Sequence, residues 1–484
     1  MVDNADFREK RWLALILLCS AQFVVVLDAS IVNVALPTIG KALDFSQENL
    51  PWVVNAYVLT FGGFLLLGGR TADLVGRRRV FMAGLLLVAV ASLAAGFAAT
   101  EGQLIAARAA QGLGAAIISP AALSIVTTTF SDGSERNKAL GVWGAVAGSG
   151  GAAGVLLGGV LTDGLGWEWV LWVNVPVSLI AFALSPRLLA ETRTESQTRA
   201  FDVAGAVTVT AALSILVYAL VDANDAGWGS SQTIGLVALS ALLLAAFVAI
   251  ELRAAKPLVP FSIFRIRTLT GANVVGLLVG ASLFSMFFFI SLYMQQVLGY
   301  SAIHAGLSYL PLALVIMASA GVASQLVTKL GYKPVLAAGL LFIVVGLLWF
   351  SRVSVGGGFT TDVLGPSLFA AAGLGFAFVT TTIAAVSGVE ENEAGLASGL
   401  INTSQQIGGA LGLAVLSAVA ISSTSDAVSS GSDHLSALTD GFQSAFLGGS
   451  LIALLGFVLT LVLIRGSDSR AHVELGKQAT AEAA

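Results

Sequence analysis

Apolar residues run in long blocks along the chain, each roughly 17 to 25 residues, the length an α-helix needs to cross about 30 Å of hydrocarbon. Short polar stretches separate them. The blocks predict fourteen helices, over 13–36, 52–69, 80–99, 103–127, 139–162, 169–186, 203–221, 233–250, 269–297, 303–327, 335–351, 363–386, 395–421 and 442–464. The first follows Arg8, Lys10 and Arg11 as a secretory leader would, yet it is too long for a leader's apolar core and lacks a small-residue cleavage site. It is read as a span.

Between the second and third blocks lies Gly69-Arg70-Thr71-Ala72-Asp73-Leu74-Val75-Gly76-Arg77-Arg78-Arg79, a loop whose arginines place it on the cytoplasmic face. With that loop inside, only Lys41 and Arg352 of the 24 Lys and Arg residues fall outside, and Arg108 lies within a span. Both termini are therefore expected in the cytoplasm. A weaker copy of the loop region follows 255 residues later, with Gly76, Val80, Ala83 and Gly84 recurring as Gly331, Val335, Ala338 and Gly339. Two related halves of six helices would repeat at roughly 190 to 200 residues, so two further helices, 203–221 and 233–250, are assigned between them. The fold expected is an all-α membrane protein: a six-helix bundle over 1–190, a linker with two extra spans over 191–265, a second six-helix bundle over 266–466, and a disordered cytoplasmic tail over 467–484. Parallel repeats of this kind place a substrate site at midplane between the halves.

Composition agrees with burial in lipid. Only 11% of the 484 residues are charged and 56% are hydrophobic, with mean hydropathy +0.90, where soluble domains carry about a quarter charged. The 54 glycines suit helices that must approach closely where apolar side chains gain nothing by leaving lipid. A net charge of -4 leaves no basic domain for nucleic acid. The single cysteine, Cys19, excludes an intrachain disulfide, and the scattered His304, His434 and His472 make no metal set. No phosphate loop of the Gly-Lys-Ser/Thr type occurs, so neither ATP drive nor an enzyme is expected, and no cofactor.

Ionisable groups inside spans are the exceptions that point to function, since each costs about 2.5 to 3.5 kcal/mol at a helix centre. Asp28 lies about fifteen residues into the first helix, roughly 22 Å from the inner edge. Arg108 lies about five residues into a helix entering from outside, roughly 8 Å below the outer edge. The two depths coincide, so contact is allowed. Asp28 is assigned proton exchange, with Arg108 and substrate modulating it; a static ion pair fixing two helices is the alternative. Asp73 and Arg77, at facing helix ends with Gly69 and Gly76 around them, are expected to cross-link the inner side as a gate, extended by Glu135 or Arg136; Arg78 and Arg79 need only be inward-biased charge. Gly150, Gly154, Gly158 and Gly159 form a smooth helix-packing face. Gln22, Asn33, Asn55, Tyr57, Gln111, Tyr293, Gln295, Gln296, Asn402, Gln405 and Gln406 are polar groups able to line a cavity, although such a residue taken singly more often joins helices.

At these residues the chain resembles the major facilitator superfamily, in its fourteen-helix drug:proton antiporter branch. The likeness rests on Leu27 to Pro37 in the first helix, on Gly69, Asp73, Gly76 and Arg77, on Arg108, Gln111 and Gly112, and on Gly395 to Gly399 with Asn402, Thr403 and Ser404. It departs at Val155, where the branch has proline, and at Gln405 and Glu168, where arginine is usual. The resemblance implies alternating access and exchange of protons for amphiphilic, often cationic compounds, in a multi-pass protein of the cytoplasmic membrane, expected to be a monomer. Export or import of one dedicated metabolite, and a receptor or scramblase that binds amphiphiles without coupled transport, are the alternatives.

Overall fold

The computed structural model describes residues 10–45, 50, 52–130, 133–191, 202–254, 257–390, 393–471 and 473–474. Arg8, Arg193, Arg199, Lys256, His472, Lys477 and most of the expected tail lie outside them. The described residues are helical with no strand. The elements are α1 (Arg11–Ala42), α2 (Trp52–Val75), α3 (Arg77–Gly96), α4 (Glu101–Thr129), α5 (Gly133–Gly164), α6 (Glu168–Trp172), α7 (Asn174–Leu188), α8 (Val203–Ala226), α9 (Ser231–Glu251), α10 (Arg267–Leu292), α11 (Ala302–Ser308), α12 (Leu310–Leu330), α13 (Tyr332–Phe350), α14 (Gly365–Val386), α15 (Ala394–Ser429) and α16 (His434–Leu463).

Among the described residues, twelve helical runs are long and apolar enough to cross a membrane. A thirteenth appears if the two arms of α5, Glu135–Gly151 and Ala153–Gly164, bent by 43°, are one span. The break lies between Gly151 and Ala153, at the end of the run Gly148-Ser149-Gly150-Gly151, and small residues of this kind let a helix kink. The apolar part of α8, Ala204–Leu220, is shorter, so length and composition alone do not reach fourteen.

The chain forms two compact units. Unit 1 comprises Met1–Ser131, Leu157–Ile266 and Gly388–Thr403; unit 2 comprises Asp132–Leu156, Arg267–Ser387 and Ser404–Ala484. Each unit thus takes one short segment from the opposite half of the chain. In unit 1, α4 is the central helix, packed by α1, α2 and α3, and α7 lies against α1 and α3. Gly112 makes the α2–α4 approach feasible, because a methyl there would overlap Thr60 and the Tyr57 carbonyl. The extra helices α8 and α9 belong to this unit: they pack on each other, and α8 packs on α2 with Tyr218 stacked 5.7 Å from Trp52. Unit 2 is built around α14 with α10, α12 and α13, and α16 packs on α10 and α13. Residues 466–471, expected as the start of a disordered tail, are helical, and Ser469 is buried and accepts from Lys333 N at 3.1 Å.

Candidate functional site

Helices α1, α2, α3, α4 and α7 of unit 1 converge on Asp28. Arg108 Nη1 donates to Asp28 Oδ2 at 2.7 Å, Asn174 Nδ2 to Oδ1 at 2.5 Å and Gln111 Nε2 to Oδ1 at 3.3 Å. The remaining donors of Arg108 are also engaged, Nε with Val53 O at 2.9 Å and Nη2 with Asp28 O at 3.4 Å, while Nη1 also reaches Gln111 Oε1 at 3.0 Å. The ring of Tyr57 lies under the guanidinium, 4.6 Å from centroid to Cζ, and its hydroxyl donates to Val25 O at 2.9 Å. Gln111 in turn donates to Ser92 Oγ at 2.7 Å. Coincident depth, the basis on which Asp28 and Arg108 were paired, is realised as direct contact.

The pair is enclosed. Asp28 is 2% exposed and Arg108, Gln111, Asn174 and Ser92 are fully buried. The sequence reading offered Tyr57 and Gln111 as cavity-lining groups or as interhelical joints, and assigned Asp28 proton exchange. In unit 1 Tyr57 and Gln111 lie at the ion pair as joints between helices, because a charge removed from water requires hydrogen bonds on every side. Asn174 and Ser92 escaped the sequence reading. Asn174 had a signal, since it lies about five residues into a span entering from outside, the same count that fixed Arg108. Ser92 had none.

A second polar site lies where α2 ends. Arg77 Nη2 pairs with Asp73 Oδ1 at 3.0 Å, and the Asp73 carboxylate also accepts from Gly395 N at 3.2 Å and Leu396 N at 3.0 Å. Those amides open α15, where the first turn has donors without helical partners, so Asp73 caps that helix across the chain. Two glycines allow the approach. A methyl on Gly69 would stand 2.5 Å from Gly395 O, and one on Gly395 would stand 2.5 Å from Asp73 Oδ1. Gly76 ends α2 at φ 121, a conformation that side chains disfavour. Arg78 and Arg79, read as plain surface charge, both approach Glu191 Oε2, at 3.6 and 3.5 Å. Arg136 belongs to unit 2, where its Nη2 donates to Val386 O at 3.2 Å.

The other expected residues divide between the units. In unit 1, Gln22 is buried with Oε1 unpartnered, Asn33 is exposed and bonds back to Ala29 O and Ser30 O, and Asn55 is half-buried. Asn402 donates to Ser398 O at 2.8 Å and accepts from Ser119 at 3.3 Å, joining α15 to α4. In unit 2, Tyr293 donates to Ser354 O at 2.8 Å and to Asp362 at 3.1 Å, Gln295 and Gln296 are exposed, Gln405 is buried and Gln406 is half-buried. Gly158 stands where a methyl would lie 2.6 Å from Ile31 O, a close contact of α5 with α1; Gly150, Gly154 and Gly159 are also buried. No group of three or more His, Cys, Asp or Glu able to hold a metal occurs among the described residues.

Residues 18–413 match the Major Facilitator Superfamily. The chain is 41% identical over 453 residues to the cephamycin export protein CmcT of Amycolatopsis lactamdurans, covering 93% of this chain and 92% of that one. It is 37% identical over 457 residues to the puromycin resistance protein pur8 of Streptomyces alboniger, covering 94% and 90%. Among solved structures it resembles the human organic anion transporter MFSD10, with TM-score 0.65 at 17% identity over 95% of this chain and 100% of the other. That likeness concerns the fold.

Proposed function

The chain belongs to the Major Facilitator Superfamily, and from that premise we propose that it is a proton-driven exporter of amphiphilic antibiotics or similar compounds. It works by alternating access in the cell membrane, with fourteen spans and both termini in the cytoplasm. Relatives named for cephamycin export and puromycin resistance support the direction and the class of cargo. The observation that carries the coupling is the enclosed carboxylate of Asp28, held by Arg108, Gln111 and Asn174.

The chemistry of that cluster makes it responsive to one proton. An ionised Asp28 only accepts, and every proton in its contacts comes from a partner. Protonation cancels the attraction to Arg108 and adds an O–H where Asn174 and Gln111 already present N–H groups. At least one amide must then turn over or withdraw, which loosens the junction of α1 with α4 and α7. A site that changes its helix contacts on proton binding is the element an antiporter needs, because substrate and proton then favour different arrangements.

The enclosure of Asp28 on all sides favours a second reading, a fixed clamp between helices. Asp28→Asn separates the two only when stability is read beside resistance. It keeps the shape and cannot exchange a proton, but it turns one acceptor into a donor and leaves Arg108 without its counter-charge. A clamp is therefore expected to lose folding stability, and a proton exchanger to lose resistance while still folded in the membrane. Cells making the chain are expected to grow at raised puromycin concentrations, and cells making equal amounts of Asp28→Asn in the membrane to lose that resistance. Full resistance from Asp28→Asn assigns the pair to structure alone.

A further inference from the structure

The buried residues of α7 are Asn174, Ser178, Ala181 and Ser185, at intervals of four, three and four that set them on one face. Each is small or polar, so this face gives the interior of unit 1 little apolar bulk. Two of its polar atoms have no hydrogen-bond partner: Asn174 Oδ1, on a fully buried residue, and Ser178 Oγ, on one 1% exposed. By contrast Ser185 Oγ donates within the helix to Ala181 O at 2.7 Å. A buried polar atom without a partner costs about 1 to 3 kcal/mol, and two such atoms one turn apart, on the face whose Asn174 amide nitrogen bonds Asp28, call for a common ligand.

We propose that the α7 face binds a water molecule between Asn174 and Ser178, and that this water carries the proton to and from Asp28. The proposal rests on the reading of Asp28 as the proton-exchanging acid. Residues four apart on a helix have Cβ atoms about 5 to 6 Å apart, a gap that one water bridges with two ordinary hydrogen bonds. Asn174 already touches Asp28 through Nδ2 at 2.5 Å, so a water held by its Oδ1 is one amide group away from the carboxylate. Buried waters make two to four hydrogen bonds to otherwise unsatisfied groups; Asn174 Oδ1 accepts one, and Ser178 Oγ both donates and accepts. In the loading step a hydrated proton from the aqueous phase protonates the water on its Ser178 side as the water gives a proton to an Asp28 oxygen, so the water remains water, Ser178 keeps its own proton and the carboxylate becomes the neutral acid. Release runs in reverse. Ala181 and Ser185 continue the same face toward the α7 end at Leu188.

The test uses the full-length protein in proteoliposomes with ethidium as the transported probe. Two rates are compared: ethidium movement driven by an imposed pH gradient, and ethidium counterflow at equal pH, which needs no net proton transfer. Ser178→Val fills the water position, and its gradient-driven rate is expected to fall about tenfold, equivalent to about 1.4 kcal/mol of barrier, with counterflow held within about twofold. Ser178→Thr restores the hydroxyl and the driven rate. Ser178→Ala, which removes the hydroxyl without adding bulk, guards against misfolding by Ser178→Val and is expected to slow the driven rate selectively. A density map of the unsubstituted protein should show a maximum within hydrogen-bond reach of Asn174 Oδ1 and Ser178 Oγ. An unchanged driven rate in Ser178→Val, equal losses in both rates for all three variants, or absence of that maximum overturns the proposal. If the unsubstituted protein shows no ethidium-dependent proton movement, the reading of Asp28 fails, and the water path with it.

Discussion

Asp28 and Arg108 oblige each other to stay, since either charge alone in the interior of unit 1 lacks compensation. Arg108→Ala is expected to destabilise the protein by about 3 to 5 kcal/mol, the scale for stranding a buried charge. Adding Asp28→Asn to Arg108→Ala should recover part of that loss, measured as unfolding temperature in detergent; additive losses contradict the pairing. Glu393, just before α15, offers a pH-dependent case outside the spans. Burial, reinforced by the nearby Glu390 charge and opposed by Arg70, raises its pKa above the ordinary glutamate value. The folded chain holds that proton more firmly than the unfolded one, so this stabilisation is complete below the ordinary glutamate value and fades as pH rises through the raised one. Glu393→Gln removes the titration, and its stability should vary less with pH across that window; an unaltered slope contradicts it. Depth counting made the Asp28–Arg108 pair legible in the sequence, and the same count applied to an uncharged side chain would have added Asn174. Ser92 was not legible, because a serine in a span usually bonds the carbonyl one turn back and leaves no trace in the pattern.

At the scale of elements, Asp73 and the first turn of α15 are one device made from segments 322 residues apart. Gly69, Asp73, Gly76 and Arg77 stand out in the sequence as a charged, glycine-marked loop, and Gly395 to Gly399 as a separate small-residue run. Their union was hidden, because the partners of Asp73 are backbone amides and any sequence supplies those. Asp73→Ala leaves Gly395 N and Leu396 N without their side-chain acceptor, and the loss of a cap of this kind costs about 0.5 to 2 kcal/mol. Asp73→Asn keeps one acceptor and should lie between. Gly69→Val, overpacked against Gly395 O, is expected to lose about 1 to 3 kcal/mol. Thermal unfolding of the three variants checks the order; a Gly69→Val protein as stable as the unsubstituted chain rejects the close contact. The 43° bend in α5 was read from sequence only as a packing face, since the spacing of Gly150, Gly154 and Gly158 reports smallness and not direction.

For the whole molecule, membrane insertion follows from apolar length alone, and all-helical architecture follows from it, because lipid offers no partner for unpaired backbone. What composition cannot encode is the assignment of segments to units: 132–156 joins unit 2 and 388–403 joins unit 1, through contacts of small residues that look alike throughout the chain. The pair α8 and α9, expected as a linker, belongs to unit 1 by the fit of Tyr218 on Trp52 and by the place Gly63 leaves for Ser214. Export driven by protons makes one prediction about the entire molecule. In proteoliposomes holding the purified chain with its cytoplasmic face outward, adding puromycin under an imposed pH gradient should produce puromycin-dependent proton release that Asp28→Asn abolishes. Puromycin movement with no accompanying proton, or proton release that persists in Asp28→Asn, contradicts the account.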